Sequence, residues 1–250
     1  SYDYIMDPST LVFLILAGLA GGFIGAQVGG GALVTLPALL FLGLTPSGAV
    51  SSNIISALTI NVVALFTYNH IKKLKIKEVI MPALSALAGS VVGANLVLNV
   101  NKEILSQVMA ILLVVAGLFV LAKPRHVASI KSQRIIRTPF GFLIFFILGI
   151  YGGFLSASIT TLFVILLVFL GENELKAIEK SVFITAVLLV GAAVVFIKQG
   201  TIQYNLAWPL AAASAVGSYA GAKTALRWGS RWLKILLALA VIFAAVKLLI

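Results

Sequence analysis

The chain has 250 residues, of which 61% are hydrophobic and only 10% are charged. A soluble domain of this length needs a far more polar surface, so the composition indicates a polytopic membrane protein. The formal net charge of +11 does not point to nucleic acid, because the Lys and Arg residues cluster in short loops between apolar runs, and the lack of cysteine excludes disulfides and thiolate metal sites.

Ten apolar runs follow one another along the chain. They are 11–28, 30–44, 50–69, 79–99, 104–122, 140–155, 158–170, 181–197, 206–225 and 232–250. Runs of about 18–20 residues can span a membrane as helices. The first two runs form a pair, as do the sixth and seventh; each pair is too long for one straight span at about 1.5 Å per residue. The second member of each pair is short for a full crossing, so we expect a broken helix or a helical hairpin at both places.

The first pair is interrupted by GGFIGAQVGGG, residues 21–31, and the second by LSASITT, residues 155–161. Unpaired backbone groups in lipid cost several kcal/mol each, so a break is tolerated only where protein buries it or where it lines a wet cavity. We place the first break at 25–31 and the second at 155–161. A helix that restarts near Gly30 directs free N–H groups into the break, and that end favours an anion.

The two halves of the chain resemble each other. GGFIGA at 21–26 matches GGFLSA at 152–157, and GSVVGA at 89–94 matches GSYAGA at 217–222, where a G-x-x-x-G spacing lets helices approach closely. We therefore predict two repeats, 1–123 and 138–250, joined by a cytoplasmic basic linker at 124–137. Each repeat has a broken first helix or helical hairpin plus three spanning helices, an organisation typical of transporters.

The distribution of Lys and Arg predicts the orientation of the repeats. If each long first segment enters and leaves on the same side, and the N-terminus is outside, 15 of the 18 basic residues are inside. If each long segment crosses once, only 11 of the 18 are inside. The positive-inside rule favours the first arrangement, in which the second repeat is inverted. We expect an all-α integral protein of the plasma (inner) membrane, with two inverted repeats and both termini outside.

The stretch GGFIGAQVGGGALVTLPALLFLGL, residues 21–44, followed by TPSGAVSSN, resembles the opening of the sulfite exporter TauE/SafE family of membrane transporters. The proline followed by G-x-x-x-G-A before the last helix of each half also matches, and the resemblance covers essentially the whole chain. It implies transport of sulfite, small organic sulfonates or related sulfur anions across the inner membrane. By position, the implied substrate site draws on Gln27, Gly29, Gly30, Gly31, Ser51, Ser52, Asn53, Ser156, Ser158, Thr160, Thr161 and Ser181.

The chain departs from the family pattern at both breaks. Gln27 stands where a glycine is common, and the second break is rich in Ser and Thr where the family usually repeats glycine. The second A-x-x-T-S element is AIEKS, residues 177–181, which places Glu179 and Lys180 at the expected start of helix 181–197. This pair is either a solvated helix end or part of the site, with Lys180 attracting the anion and Glu179 carrying a proton.

The other polar residues also have two interpretations. Residues 51–53 open the predicted helix 50–69 as an N-cap, as anion contacts, or as both, since the two roles use the same positive helix end. The hydroxyls of 156–161 either bond back to their own helix or face the substrate. Asn61 and Asn95 are expected to form hydrogen bonds between helices.

Known catalytic motifs are missing from the sequence: there is no P-loop, no His-Glu-x-x-His and no Ser/His/Asp grouping. We expect no enzyme activity, no cofactor and no metal. The function predicted is secondary transport of a small anion, namely sulfite, an organic sulfonate or another sulfur oxyanion, by alternating access at a site between the two breaks. An anion channel and a membrane scaffold without a substrate are the alternatives. The expected partners are the small anion and the lipid bilayer, not nucleic acid, and the chain is compatible with a homo-oligomer.

Overall fold

The computed structural model describes residues 7–69, 74–121 and 138–228. The helices in these segments are α1 Pro8–Val28, α2 Ala32–Phe41, α3 Pro46–Asn69, α4 Ile76–Asn99, α5 Lys102–Leu121, α6 Pro139–Leu155, α7 Ile159–Phe169, α8 Glu174–Lys198 and α9 Tyr204–Trp228. The described segments contain no strand, and the predicted all-α class is confirmed. The basic linker 124–137 and the last apolar run, 232–250, lie outside the described residues.

Four of these helices are long and apolar enough to cross a membrane: Pro8–Val28, Pro46–Tyr68, Ile76–Asn99 and Lys176–Lys198. Large apolar side chains are exposed on the outside of the bundle, for example Leu16 at 60% and Phe66 at 67%. A water-soluble protein rarely exposes so many, and lipid is the solvent that such a surface suits.

The first helix of each half begins in the same way. The Asp7 carboxylate accepts a hydrogen bond from the Thr10 backbone N–H at 2.7 Å. The Thr138 hydroxyl accepts one from the Gly141 N–H at 3.2 Å. A proline follows each cap, at the one helical position where a missing N–H costs nothing. Capping therefore fixes where α1 and α6 start.

Two helices begin earlier than the apolar runs indicate. Helix α3 begins at Pro46, where the Thr45 hydroxyl caps the first turn, and α8 begins at Glu174. The predicted starts at 50 and 181 are wrong because the first turns of both helices are polar and do not belong to an apolar run. Residues 51–53 are therefore not an N-cap, and Lys180 lies in the second turn of α8, not at its N-terminus.

The first helix of each half packs on the proline-containing helix of the other half. A Cβ added to Gly22 of α1 would clash with the Ser214 carbonyl of α9, and one added to Gly153 of α6 would clash with the Ser90 carbonyl of α4. Backbone touches backbone at both crossings, which only glycine allows. The interpretation of the glycine pairs as packing surfaces is confirmed.

Helices α1, α3 and α9 run in the same direction. The hydroxyls of Ser56 and Ser214 are 2.7 Å apart, and Ser218 donates to the Ile60 carbonyl at 2.8 Å, so residue numbers rise together along α3 and α9. Residue numbers also rise together along α1 and α9, since Gly18 lies against Leu210 and Phe23 lies against Gly221.

Helices α4, α6 and α8 form a second parallel set. The Lys180 ammonium lies 2.8 Å from the Glu78 carboxylate, and Ser90 donates to the Leu188 carbonyl at 2.6 Å. Residue numbers therefore rise together along α4 and α8, and the contacts between α4 and α6 follow the same order.

The two parallel sets run in opposite directions. Ser52, near the start of α3, accepts a hydrogen bond from the Gln203 N–H, just after the end of α8. The start of α8 lies beside the start of α4, which follows the end of α3 in the chain. Helix α3 is therefore antiparallel to α8, its counterpart in sequence order.

Helix α2 folds back along α1. A Cβ on Gly25 would lie 3.1 Å from the Gly31 Cα, and one on Gly21 would strike the Thr35 side chain, so numbers fall along α1 as they rise along α2. The first pair of apolar runs is thus a hairpin. Its break is confined to 29–31, shorter than the predicted 25–31, because Gly25 stays helical where it packs on Gly31.

Helix α1 is one turn longer than α6 beyond the matching glycine pairs. Its C-cap is Gly29, which comes seven residues after Gly22, whereas the C-cap of α6 is Ser156, three residues after Gly153. The second break is therefore confined to 156–158. The additional turn, residues 25–28, has no counterpart in α6.

Candidate functional site

The two helix breaks touch each other. Gly29 has a φ of 74°, and a Cβ added there would lie 2.7 Å from the Thr161 backbone nitrogen and 2.9 Å from the Thr160 Cβ. The Thr161 hydroxyl donates to the Val28 carbonyl at the end of α1. The glycine at this position is needed both for its left-handed conformation and for the close approach of the second break.

Asn53 links the two hairpins through its side chain. Its Oδ1 accepts a hydrogen bond from the Thr35 hydroxyl at 2.6 Å, and its Nδ2 donates to the Ser156 hydroxyl at 3.3 Å. Asn53 is fully buried, so both contacts are made away from solvent. One side chain of α3 thus holds α2 of the first half and the break of the second half.

A second group of hydrogen bonds centres on Thr160. Its hydroxyl lies 3.2 Å from both the Asn61 Oδ1 and the Thr185 hydroxyl. The Asn61 Nδ2 donates to the Ala57 carbonyl of its own helix at 2.9 Å, which fixes the orientation of the amide. Thr160, at the start of α7, is therefore tied to α3 and α8 together.

These polar groups lie near the middle of long helices. Asn53 and Asn61 stand on either side of the centre of α3, which has 24 residues, and Thr185 is close to the centre of α8, which has 25. Helices of that length span about 36 Å, slightly more than the hydrocarbon layer. We refer to the residues joined here (Thr35, Asn53, Asn61, Ser156, Thr160 and Thr185) as the central network.

The second break contains two serines in the left-handed conformation. Ser156 and Ser158 each have a φ of 56°, which costs a residue with a side chain roughly 1–2 kcal/mol. Ser156 is held there by its contact with Asn53. The Ser158 hydroxyl has no such hydrogen bond within the described part of the chain, although the residue is fully buried. Such strain is concentrated at functional sites.

Three buried side chains carry polar atoms that lack a hydrogen-bond partner among the described residues. They are Gln27, through both of its amide atoms, and the hydroxyls of Ser158 and Ser181. Gln27 is 4% exposed and both serines are fully buried. An unpaired buried polar group costs about 1–3 kcal/mol, so each is a candidate for contact with a ligand.

All three belong to segments that border the central network. Gln27 lies in the additional turn of α1, two residues before Gly29. Ser158 lies in the second break, and Ser181 is one helical turn before Thr185 on the same face of α8. The unpaired groups and the hydrogen-bonded network therefore form one candidate site at the meeting point of the breaks.

The helix ends at the breaks differ in their electrostatic role. The carbonyl end of α1 accepts the Thr161 hydroxyl, so the positive end of α7 already faces a negative helix end. Helix α2 restarts after Gly30 and Gly31, whose carbonyls accept the N–H groups of Leu33 and Val34. The backbone N–H groups of Gly30 and Gly31 come before these first hydrogen bonds of α2 and are therefore the more suitable donors to an anion.

Ser51 and Ser52 are placed outside the central network. The Ser51 hydroxyl donates to the Thr201 carbonyl at 2.9 Å, and the Ser52 hydroxyl accepts the Gln203 N–H at the same distance. Both serines fasten α3 to the loop between α8 and α9. Within the described residues, the hydrogen bonds of these two serines lead to Gly48, Thr201 and Gln203 and not to the breaks.

Lys180 is engaged by carboxylates. Its ammonium lies 2.8 Å from Glu78 and 2.5 Å from Glu172, and the residue is only 7% exposed. Two negative charges already offset its positive charge. The hydrogen bonds that the structure gives Lys180 therefore lead to α4 and to the α7–α8 loop, not to the hydroxyls of the breaks.

Sequence reasoning missed Thr35 and Thr185 as parts of the site. Both are hydroxyls within apolar runs, one turn after residues that had been singled out, and this spacing was the available signal. The predicted interhelical bond of Asn61 is confirmed. The prediction for Asn95 is wrong, because its amide donates to the Val91 carbonyl of its own helix on an exposed face.

The family model for the sulfite exporter TauE/SafE matches residues 14–248. The probable membrane transporter protein YfcA of Escherichia coli K12 is 25% identical over 247 residues, 98% of this chain and 92% of the relative. The probable membrane transporter protein ORF9 of Sinorhizobium is 29% identical over 242 residues, covering 96% and 92% of the two chains. No solved structure matches the chain. The protein therefore belongs to the sulfite exporter TauE/SafE family of integral membrane transporters.

Proposed function

We propose that the protein is a secondary transporter that moves a small anion, sulfite or an organic sulfonate or related sulfur oxyanion, by alternating access at the site between the two breaks. The observation that carries this proposal is a set of three buried polar side chains, Gln27, Ser158 and Ser181, that have no hydrogen-bond partner among the described residues and lie beside two helix breaks that touch. A bound anion would supply acceptors for these donors.

Neutral donors suit this task. The Gln27 amide and the two serine hydroxyls offer hydrogen bonds without a fixed charge, and bonds to an ionised acceptor are roughly twice as strong as those between neutral groups. The backbone amides at Gly30 and Gly31 add the positive end of α2. Release of the anion from such a site is expected to be easy, because no Lys or Arg among the described residues belongs to the candidate site.

Alternating access is supported by the arrangement of the helices. Corresponding helices of the two halves, such as α3 and α8, run in opposite directions, as inverted repeats at 1–123 and 138–250 require. Each break contacts the other half of the chain: Gly29 lies against Thr161, and Ser156 binds Asn53. The proposal places the chain in the plasma membrane with both termini outside, and requires no partner beyond the anion and the bilayer.

The test is flux and binding with purified protein in liposomes, using sulfite, sulfate, thiosulfate, a taurine-like sulfonate and a carboxylate. Saturable transport of one of the sulfur anions is expected. Gln27→Leu and Ser158→Ala should weaken its binding about tenfold or more while the proteins remain folded, since each removes a donor worth about 1.5–3 kcal/mol to a charged group. Gln199→Leu, at an exposed position at the end of α8, is the matched control and should bind normally.

Other results would replace the proposal. Single-channel currents would identify an anion channel, and the absence of both flux and binding would favour a scaffold. Competition by an organic cation, but not by the anions, would contradict the substrate class.

A further inference from the structure

Hydrogen bonds and ion pairs fasten the two halves together at two places away from the central network. At one, Lys180 of the second half binds Glu78 of the first half and Glu172 in the α7–α8 loop; we name these three residues the ionic clasp. At the other, Ser51 and Ser52 of the first half bind residues 201–203 of the second; we name this the neutral clasp.

The clasps occupy equivalent positions in the two halves. In AVSSN at 49–53 and AIEKS at 177–181, Ser52 and Lys180 hold the same place relative to the shared alanine. Ser52 lies in the second turn of α3 and binds Gln203, the residue just before α9. Lys180 lies in the second turn of α8 and binds Glu78, in the first turn of α4. The same position therefore carries a hydroxyl in one half and a buried cation in the other.

The clasps lie at opposite ends of the bundle. Helix α3 is antiparallel to α8, so Ser52 near the start of α3 and Lys180 near the start of α8 are separated along the bundle axis. The central network, built on the middle parts of the same two helices, lies between them.

The two clasps differ in the cost of opening. Breaking the neutral clasp exchanges two hydrogen bonds for bonds to water. Breaking the ionic clasp separates charges that are largely removed from solvent, since Lys180 is 7% and Glu172 8% exposed. When the ionic clasp opens, each charge that is still buried loses its partner and is left uncompensated until water reaches it, whereas an opened neutral clasp leaves only uncharged groups.

We propose that the two clasps are the gates of the two mouths of the transport pathway, and that the ionic clasp holds its mouth closed more strongly than the neutral clasp holds the other. This inference rests on the proposed alternating access. Both clasps are formed here, so the structure is the conformation closed at both ends. Opening one mouth requires the release of its clasp alone, and the unequal chemistry biases the resting protein toward opening at the Ser52 end.

The absence of cysteine from the chain provides a direct test. A single Ser158→Cys substitution places a thiol at the buried second break with little change in size. A membrane-impermeant thiol reagent is then applied separately from each side of oriented vesicles, without substrate. In this background, Lys180→Met should raise the labelling rate from the Lys180 side at least about fivefold. Ser52→Ala should raise labelling from the opposite side by a smaller factor.

Two further variants separate a gate from a folding defect. Lys176→Met removes an exposed cation from the same end of α8 and should leave labelling unchanged. The double exchange of Lys180→Glu with Glu78→Lys keeps one cation and two carboxylates in the clasp and should restore the labelling rate of the unsubstituted background. If Lys180→Met does not fold, this double variant compared with Glu78→Lys alone gives the same test.

Labelling that is equal in the Lys180, Ser52 and control variants would overturn the inference, as would increased labelling from the wrong side. The measurement needs no transport. Transport is measured separately on the unsubstituted protein. Expected labelling of the cysteine variants without transport by the unsubstituted protein would retain the gates and refute the proposed function, whereas transport with unaltered labelling would refute the gates and retain the function.

Discussion

Both helix breaks end one helix and allow the next to begin, but they do so with different residues. The first uses glycines, and its turning residue, Gly29, adopts a left-handed conformation at no steric cost. The second uses Ser156 and Ser158 in that conformation at a cost, and the Ser158 hydroxyl has no hydrogen-bond partner in the part of the chain that the structure describes. The difference indicates a division of roles: the first break allows close approach of backbone, and the second supplies side-chain groups to what binds there.

The largest effect is expected at the glycine break. Gly29→Ala combines a left-handed conformation with a Cβ 2.7 Å from the Thr161 nitrogen, and should destabilise the protein by roughly 2–5 kcal/mol. The loss is measured as a shift of the unfolding midpoint in detergent. Transport should be abolished as well, because the second break is displaced.

Gly200→Ala is the control for that substitution. Gly200 has a φ of 62°, but a Cβ added there meets nothing within 4 Å. It should therefore lose only the conformational part, about 1–2 kcal/mol. Equal losses in the two variants would show that close approach at Gly29 is unimportant. The role given to the first break, close approach of backbone, would then be wrong.

A slightly smaller effect is expected where the two breaks are joined. Asn53→Ala removes the side-chain partner of Thr35 and of Ser156 and should cost about 1–3 kcal/mol, since the buried Ser156 hydroxyl loses its partner while Thr35 keeps the Gly31 carbonyl. Asn95→Ala removes the same side chain from an exposed face of α4, where its amide bonds only its own helix in the described structure. The control should change stability by less than about 0.5 kcal/mol. The comparison is made by unfolding midpoint, and a large loss at Asn95 would invalidate it.

The serine break should respond in the opposite sense. Ser158→Gly removes both the left-handed strain and an unpaired buried hydroxyl, and should stabilise the protein by about 1 kcal/mol after the added chain entropy of glycine. Substrate binding should weaken at the same time. Ser156→Gly loses the bond from Asn53 as it loses strain, so its stability should change little. A stability loss in Ser158→Gly would mean that its hydroxyl is already satisfied.

The smallest effect is expected at the starts of α1 and α6. Both helices are capped by a side chain that accepts a backbone N–H three residues later, but the cap is the charged Asp7 in α1 and the neutral Thr138 in α6. Hydrogen bonds from Thr10 lower the pKa of Asp7 below its ordinary value of 3.8. The stabilisation from this cap is complete above that value and is lost as the pH falls through the lower pKa of the folded protein. Amide exchange at Thr10 should therefore accelerate in acid relative to Gly141, whose cap is the untitratable Thr138. Parallel behaviour of the two amides would refute this.

The sequence allowed the membrane class, the two breaks and the glycine packing to be predicted, because each depends on local composition or spacing. The predicted starts of α3 and α8 failed where polar first turns interrupted the hydropathy signal. The bond between Asn53 and Ser156 joins residues 103 positions apart, and the pairing of Lys180 with Glu78 depends on how α4 and α8 lie together. Such contacts follow from helix arrangement, which no local pattern contains. The role of these residues in binding stays a proposal.

The exchange of first helices between the halves has a consequence for biosynthesis. In the described structure the face of α1 that carries Gly18 and Gly22 packs on α9, so this face lacks that partner while the ribosome adds roughly 175 further residues, a period of about 10–35 s at ordinary elongation rates of about 5–20 residues per second. During that time the small-residue face of α1 must remain at the insertion machinery or among lipids. Release of the nascent chain before α9 is made would leave this face of α1 without its partner.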